Sequence, residues 1–200
     1  MGRVSREQAQ LNRQRVVESA CRLFRMYGVE NVSIADIMSE AGLTPGGFYK
    51  QFESKEALMD EAFAMAFKQA SEAWGAITKR SESGDSLQAL TALVQHYFKK
   101  RPPEQYCPML VFSSLVGNSP TDSTTAQVYR QGVEELFGRF HAEAVRASTR
   151  KQKQEPQLSE AEILLLFAAM IGTGFLERAV GRSALVGQMQ SAVLEALDKS

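Results

Sequence analysis

Cysteine is scarce in this sequence. Cys21 and Cys107 stand far apart, in no Cys-x-x-Cys spacing. That argues against a disulfide scaffold and a thiolate zinc site, and it fits a reducing compartment. Histidine is equally scarce. Neither His96 nor His141 has a carboxylate at Glu-x-x-His spacing, so a di-iron bundle is unsupported. No metal or cofactor is expected. Net charge is missing too, with 23 basic residues against 23 acidic. The longest apolar run, Ile163 to Ile171, has nine residues, short of the ~20 that cross a bilayer. The N-terminus lacks an apolar signal core. The expectation is a soluble cytoplasmic protein with no membrane partner. Catalytic motifs are absent as well: no Gly-x-Ser-x-Gly, no P-loop, no Gly-rich dinucleotide turn. Gly172-Thr173-Gly174 follows no strand and reads as a helix-packing feature.

What is present is helical periodicity. Val16, Ala20, Leu23 and Tyr27, widened by Val17 and Phe24, make one face of a helix over residues 5–28, with Gly28 as its stop. The stretch from Ser33 to Leu58 then reads as two short helices around a tight turn, with a third starting at once. Ser33 caps the first helix, Asp36 completes a capping box, and Val32 and Ile37 sit at the staple positions. Ile34, Ile37 and Met38 form its apolar stripe. Ala41-Gly42-Leu43 breaks it, with Gly42 suited to a left-handed turn. Thr44-Pro45 restarts a helix as cap and first residue. This second helix lasts barely two turns and displays Tyr49, Lys50 and Gln51. A short helix held at a fixed angle by its predecessor, with an exposed polar and aromatic face, is how a protein enters a major groove. Residues 1–50 hold seven Lys/Arg against five Asp/Glu, a mild positive bias in which Arg3 and Arg6 form a loose arm.

This segment resembles the helix-turn-helix of the tetracycline-repressor (TetR) family. The likeness lies in Ala35-Asp36-Ile37, Ala41-Gly42-Leu43, Gly47-Phe48-Tyr49, Phe52 and Ser54-Lys55-Glu56-Ala57-Leu58. The sequence departs from the family pattern at Lys50 and Gln51. The resemblance implies an all-α protein. Residues 1–52 would be a three-helix DNA-binding domain, and residues 53–200 a helical bundle that dimerises and binds a ligand. The candidate DNA-contacting residues are Ser33, Thr44, Pro45, Gly46, Gly47, Tyr49, Lys50, Gln51 and Lys55. Lys55 lies in the first turn of a helix, where a cation needs a nearby anion, and a phosphate would serve. Thr44 is at a helix N-terminus, also a natural phosphate site. Gly46 and Gly47 are poor helix formers. They suit close approach either to DNA or to the first helix.

The remaining chain continues as helices: Ser54 to about Arg80, from near Asp85 to the Arg101-Pro102-Pro103 break, Glu104 to Gly117, Thr124 to about Thr149, Ser159 to Val180, and from about Ser183. A solvated linker spans 150–157. Ser159 and Glu162 form a second capping box. The helix they open is apolar nearly all round and must be covered on more than one face. In the resembled family the last two long helices pair with their copies in a homodimer.

Trp74, Tyr97, Tyr106, Cys107, Phe112, Phe137, Phe140 and His141 are the candidate ligand-binding residues. The same aromatics would serve a filled core, and the two readings stay open. Their mixture suits an aromatic or otherwise apolar effector with one or two polar groups. Cys107 is either buried filler or a thiol made reactive at a helix N-terminus, with Glu104 opposing the thiolate. The favoured function is a homodimeric repressor that a small-molecule effector releases from palindromic operator DNA. The rival is a helical-bundle adaptor or enzyme in which the helix-turn-helix is only a packing unit.

Overall fold

In the computed structural model, residues 6–81, 86–150 and 158–198 are described. Arg3 of the expected arm and the 151–157 linker lie outside them. Every regular element among the described residues is helical. They are α1 (Arg6–Tyr27), α2 (Ile34–Glu40), a 3-10 helix (Pro45–Lys50), α3 (Lys55–Ser81), α4 (Ser86–Phe98), a 3-10 turn (Pro103–Gln105), α5 (Pro108–Val111), α6 (Ser113–Gly117), α7 (Thr124–Arg150), α8 (Glu160–Val180) and α9 (Ala184–Asp198). The expected single helix over Glu104 to Gly117 is instead three short pieces. Pro108 has no N–H to continue a helix, and it holds Cys107 outside the helical region at φ −58°, ψ 125°.

The chain forms two compact units: Met1–Gln69 with Arg101–Val133, and Ala70–Lys100 with Glu134–Ser200. Helices α3 and α7 each run through both. In the first unit, Gly28 ends α1 at φ +80° and its N–H donates to the Phe24 carbonyl at 3.0 Å. Gly42 turns the chain after α2 at φ +71°. Both positions need the left-handed conformation that glycine adopts without penalty. Phe24, Ile37, Phe48, Leu58 and Phe63 are fully buried. At about 25 cal/mol per Å² of apolar surface, such side chains dominate the stability of so small a core. Tyr27, expected on the inner face of α1, is 55% exposed.

A buried arginine ties this unit together. Arg25 of α1 is 6% exposed. Its guanidinium donates to the Ala66 carbonyl at 2.8 Å and to Gln69 Oε1 at 3.2 Å, both on α3. It also donates to the Glu104 carbonyl at 3.0 Å, beyond the proline break. Burial pushes its pKa below the usual arginine value. Nearby, Thr125 donates to Asp60 at 2.6 Å, and the Tyr129 hydroxyl donates to the Met109 carbonyl at 2.6 Å. Burial raises the Tyr129 pKa to about 12.

The second unit holds α4, α8, α9 and the remaining parts of α3 and α7. Gly174 lets α8 close on α4: a Cβ there would lie 2.7 Å from the Tyr97 ring. Ile163, Leu166 and Met170 face inward. The opposite side of α8 is left exposed among the described residues. Leu165 is 68% exposed and Phe175 53%. By length and composition alone α8 is long and apolar enough to cross a membrane, a test that the core helix of a globular protein also passes.

The tightest approach in the first unit is α7 on α3. A Cβ at Gly132 would fall 2.2 Å from the Phe67 ring. Gly132→Ala is therefore expected to cost about 2 kcal/mol in urea unfolding, and a second change, Phe67→Leu, to recover part of it. Gly172→Ala, with nothing within 4 Å, is expected to leave the urea midpoint unchanged or slightly raised.

Candidate functional site

The reading head begins at a cap. The Ser33 hydroxyl accepts from the Asp36 N–H at 3.1 Å. Asp36 accepts in return from the Ser33 N–H at 2.8 Å and from its hydroxyl. These donors hold the Asp36 carboxyl below its ordinary pKa. The capping box is the one expected, and it starts α2 at a defined residue. Ile37 and Met38 are fully buried, which fixes the face of α2. After Gly42 the second helix differs from expectation in kind. It is a 3-10 helix, Pro45–Lys50, and the Thr44 hydroxyl makes no cap bond. Two consecutive glycines weaken an α-helix, and the tighter 3-10 turn is the usual form of so short a piece.

Phe48 anchors this helix at 0% exposure, and Tyr49 meets it edge-on with centroids 5.1 Å apart. Anchoring Phe48 forces its neighbour outward, so Tyr49 is 73% exposed. Thr44, Pro45, Gly46 and Lys50 are exposed beside it, and Ser33 is exposed at the start of α2. A Cβ at Gly46 would meet nothing within 4 Å, and one at Gly47 would lie at ordinary contact distance, 3.6 Å, from Met38. Close approach to α2 therefore does not account for the glycine pair.

Two expected contacts turn inward. The Gln51 amide oxygen is buried. Lys55 donates its ammonium to the Val29 carbonyl at 2.7 Å. This first-turn cation thus takes a backbone oxygen of the α1–α2 loop as a partner. Ser54, where the long helix was expected to start, precedes α3 and accepts from the Ala57 N–H at 3.1 Å.

Other ties hold the head and were not legible in the sequence. Arg13 of α1 grips Glu61 of α3 with two bonds of 2.6 and 2.5 Å, while its guanidinium lies 4.6 Å from the Phe52 ring centroid. Glu61 raises the Arg13 pKa. Arg22 pairs with Glu40 at the end of α2. Each pair joins residues 18 or more apart, beyond any helical spacing that a sequence pattern reveals.

The candidate ligand residues divide between the units. Phe112 is core of the first, stacked on Phe63 with centroids 3.7 Å apart. Tyr106 there is 37% exposed and Cys107 half-buried. In the second unit, Phe137 and Phe140 pack against Phe167 at 5.2 and 5.4 Å. His141 pairs with Glu160 at 2.8 Å. Trp74 and Tyr97 meet edge-on at 6.3 Å. Of the eight, Trp74 lines a cleft of about 200 Å³ in this unit. The charged residues around that cleft, Lys79, Arg139, Glu143 and Arg146, were not foreseen. Cys21 is buried, and burial raises its thiol pKa.

A capped helix, a glycine turn and a short helix with an outward tyrosine, set on a helical bundle, define a helix-turn-helix protein. Residues 16–62 match the family of bacterial regulatory proteins, tetR family. The HTH-type transcriptional regulator AcrR of Shigella flexneri is 35% identical over 66 residues, 33% of this chain and 31% of that protein. The match thus spans about a third of the relative's length. Over nearly the whole chain, a TetR transcriptional regulator from Chloroflexus aurantiacus J-10-FL has the same fold, with a TM-score of 0.77 at 23% identity, covering 97% of this chain and 98% of that one. A transcriptional regulator from Saccharomonospora viridis, solved in complex with choline, gives 0.76 at 19% identity over 93% and 95%. Residues 16–62 thus carry the match to the tetR family, and the chain has the fold of these solved TetR regulators. These relatives are transcription regulators, not enzymes.

Since Lys55 is a brace within the head, Lys55→Met is expected to lower unfolding stability by about 1 kcal/mol. It should leave the slope of log K against log salt for DNA binding unchanged. A slope flattened by about 1 would return Lys55 to the phosphate contacts.

Proposed function

We propose that this chain is a homodimeric, cytoplasmic transcription repressor that binds a palindromic operator and leaves it when a small effector binds. Residues 1–52 read the DNA, and residues 53–200 dimerise and hold the effector. The observation that supports this best is the exposed Tyr49–Lys50 face beside Thr44, Pro45, Gly46 and Gly47, on a segment that matches the tetR family. Tyr49 contributes base or sugar contacts, Lys50 a phosphate contact, and the glycine pair lets the backbone come close to the duplex. Ser33 and Thr44 offer hydroxyls at two helix starts for phosphate oxygens.

Dimerisation is supported by the uncovered side of α8. Leu164, Leu165 and Phe175 are half or more exposed, and Leu185 of α9 adds to the apolar surface. A second copy related by a two-fold axis would bury the same residues on both sides. The same cover explains why so apolar a helix belongs to a protein free in the cytoplasm. Effector binding is supported by a regulator of the same fold solved with choline. Half-sites one DNA turn apart demand a fixed spacing of the two heads, so a small change of spacing suffices for release.

The test is fluorescence anisotropy on the DNA upstream of the protein's own gene, across a salt series. Tyr49→Ala is expected to weaken binding at least tenfold with unchanged unfolding, and Lys50→Ala to flatten the salt slope by about 1. Leu165→Glu is expected to sediment as a monomer and to lose cooperative operator binding. Parent protein that ignores DNA at low salt, or that sediments as a monomer at micromolar concentration, would favour the adaptor reading.

A further inference from the structure

The cleft in the second unit has a chemical character that the apolar-effector expectation did not include. Trp74, 3% exposed, and Leu93, fully buried, supply its apolar lining. Lys79 of α3 and Arg139 and Arg146 of α7 bring three cations to the same space. The carboxylate in the lining, Glu143, is committed to Arg146 at 2.9 Å. Arg139 is held in place on its inner side. Its Nε donates to the Ser71 hydroxyl, which itself donates to Glu135 at 2.5 Å. Glu135 lies 3.8 Å from the Arg139 Nη2 nitrogen. Gly75 makes room for this arrangement: a Cβ there would sit 3.0 Å from the Arg139 Nη1 nitrogen. The guanidinium is thus held beside Ser71 and Gly75 of α3 while Arg139 lines the cleft.

With Glu143 paired to Arg146 and Glu135 beside Arg139, the three cations Lys79, Arg139 and Arg146 still leave an excess of positive charge next to Trp74, which defines a preference for one ligand charge. We infer that this cleft takes a small organic anion: a carboxylate directed at Arg139 and Lys79, joined to a flat apolar body that packs on Trp74 and Leu93. The inference deepens the effector reading and rests on it. Arginine suits a carboxylate because its planar donors pair with both oxygens, and burying the apolar body against Trp74 adds contact area. A quaternary ammonium, the class that the Saccharomonospora viridis regulator holds, would meet like charge here. The volume of about 200 Å³ suits a one-ring compound rather than a large polycyclic one.

Trp74 is the single tryptophan of the chain, so its fluorescence reports occupancy directly. The probes are benzoate, its neutral isostere benzamide, and choline, titrated into the full-length protein at low salt. Benzoate is expected to change Trp74 emission and to bind at least about tenfold more tightly than benzamide, with no response to choline. Arg139→Gln should abolish that preference. Because Arg139 also braces Ser71, Lys79→Gln at the rim serves as the second variant, with circular dichroism confirming the fold. It should weaken benzoate and leave benzamide unchanged. Equal binding of benzoate and benzamide, binding of choline, or no effect of either variant overturns the anion preference. Operator release is read separately. Release by a neutral compound without benzoate binding overturns the anion site and leaves the effector reading standing. Benzoate binding without release keeps the site and overturns the effector reading.

Discussion

The guanidinium of Arg25 is the contact on which the first unit depends. It is buried, and among the described residues its partners are two backbone carbonyls and one amide oxygen, with no carboxylate. A cation taken out of water without a full counter-charge is costly unless several dipoles point at it. Here the dipoles come from α3 and from the segment after the proline break. Placing Arg25 therefore places α1 against both. Helix α2 packs on α1 and the 3-10 helix packs on α2, so the orientation of Tyr49 is set at one remove by the placement of α1. Arg13 and Lys55 act in the same sense nearer the surface, each joining segments that the chain leaves far apart.

What the sequence showed well is what depends on neighbours along the chain. The two capping boxes and the glycine turn rest on short spacings along the chain and appear where expected, while the apolar stripe of α1 holds except at Tyr27, which turns outward. The helix types and joins that went astray have local causes as well. Two glycines gave a 3-10 helix in place of an α-helix, and Pro108 divided one expected helix into short turns. Contacts between distant segments left no such trace. Arg25 looked like one more charge on an amphipathic helix, Gly132 like a weak spot in α7, and Lys55 like a free cation. Each is explained by a partner that only the folded chain supplies: three acceptors, the Phe67 ring and the Val29 carbonyl. The cleft charges were hidden for the same reason. Lys79 and Arg139 are 60 positions apart and sit on helices whose exposed faces are rich in charge.

Charge and apolar surface are divided in a way that suits a regulator. The head presents polar and aromatic side chains on a small, rigid frame, which suits contact with a duplex. Helices α8 and α9 present leucine, valine and phenylalanine, which suits contact with a like surface and not with water. The cleft combines both characters, with an indole floor below cationic walls. Helices α3 and α7 pass through both compact units, so each links residues of the head's core to residues of the cleft within one continuous element.

The central claim is that a buried charge orients an exposed DNA-reading face. Operator affinity of Arg25→Met, measured by anisotropy beside urea unfolding, tests it most directly. Methionine fills a similar volume and leaves the Ala66 and Glu104 carbonyls without their donor. The account predicts a loss of about 3 kcal/mol in unfolding. It also predicts operator binding weakened well beyond what the unfolded fraction explains. A variant that binds operator as tightly as the parent, with unchanged unfolding, would contradict it.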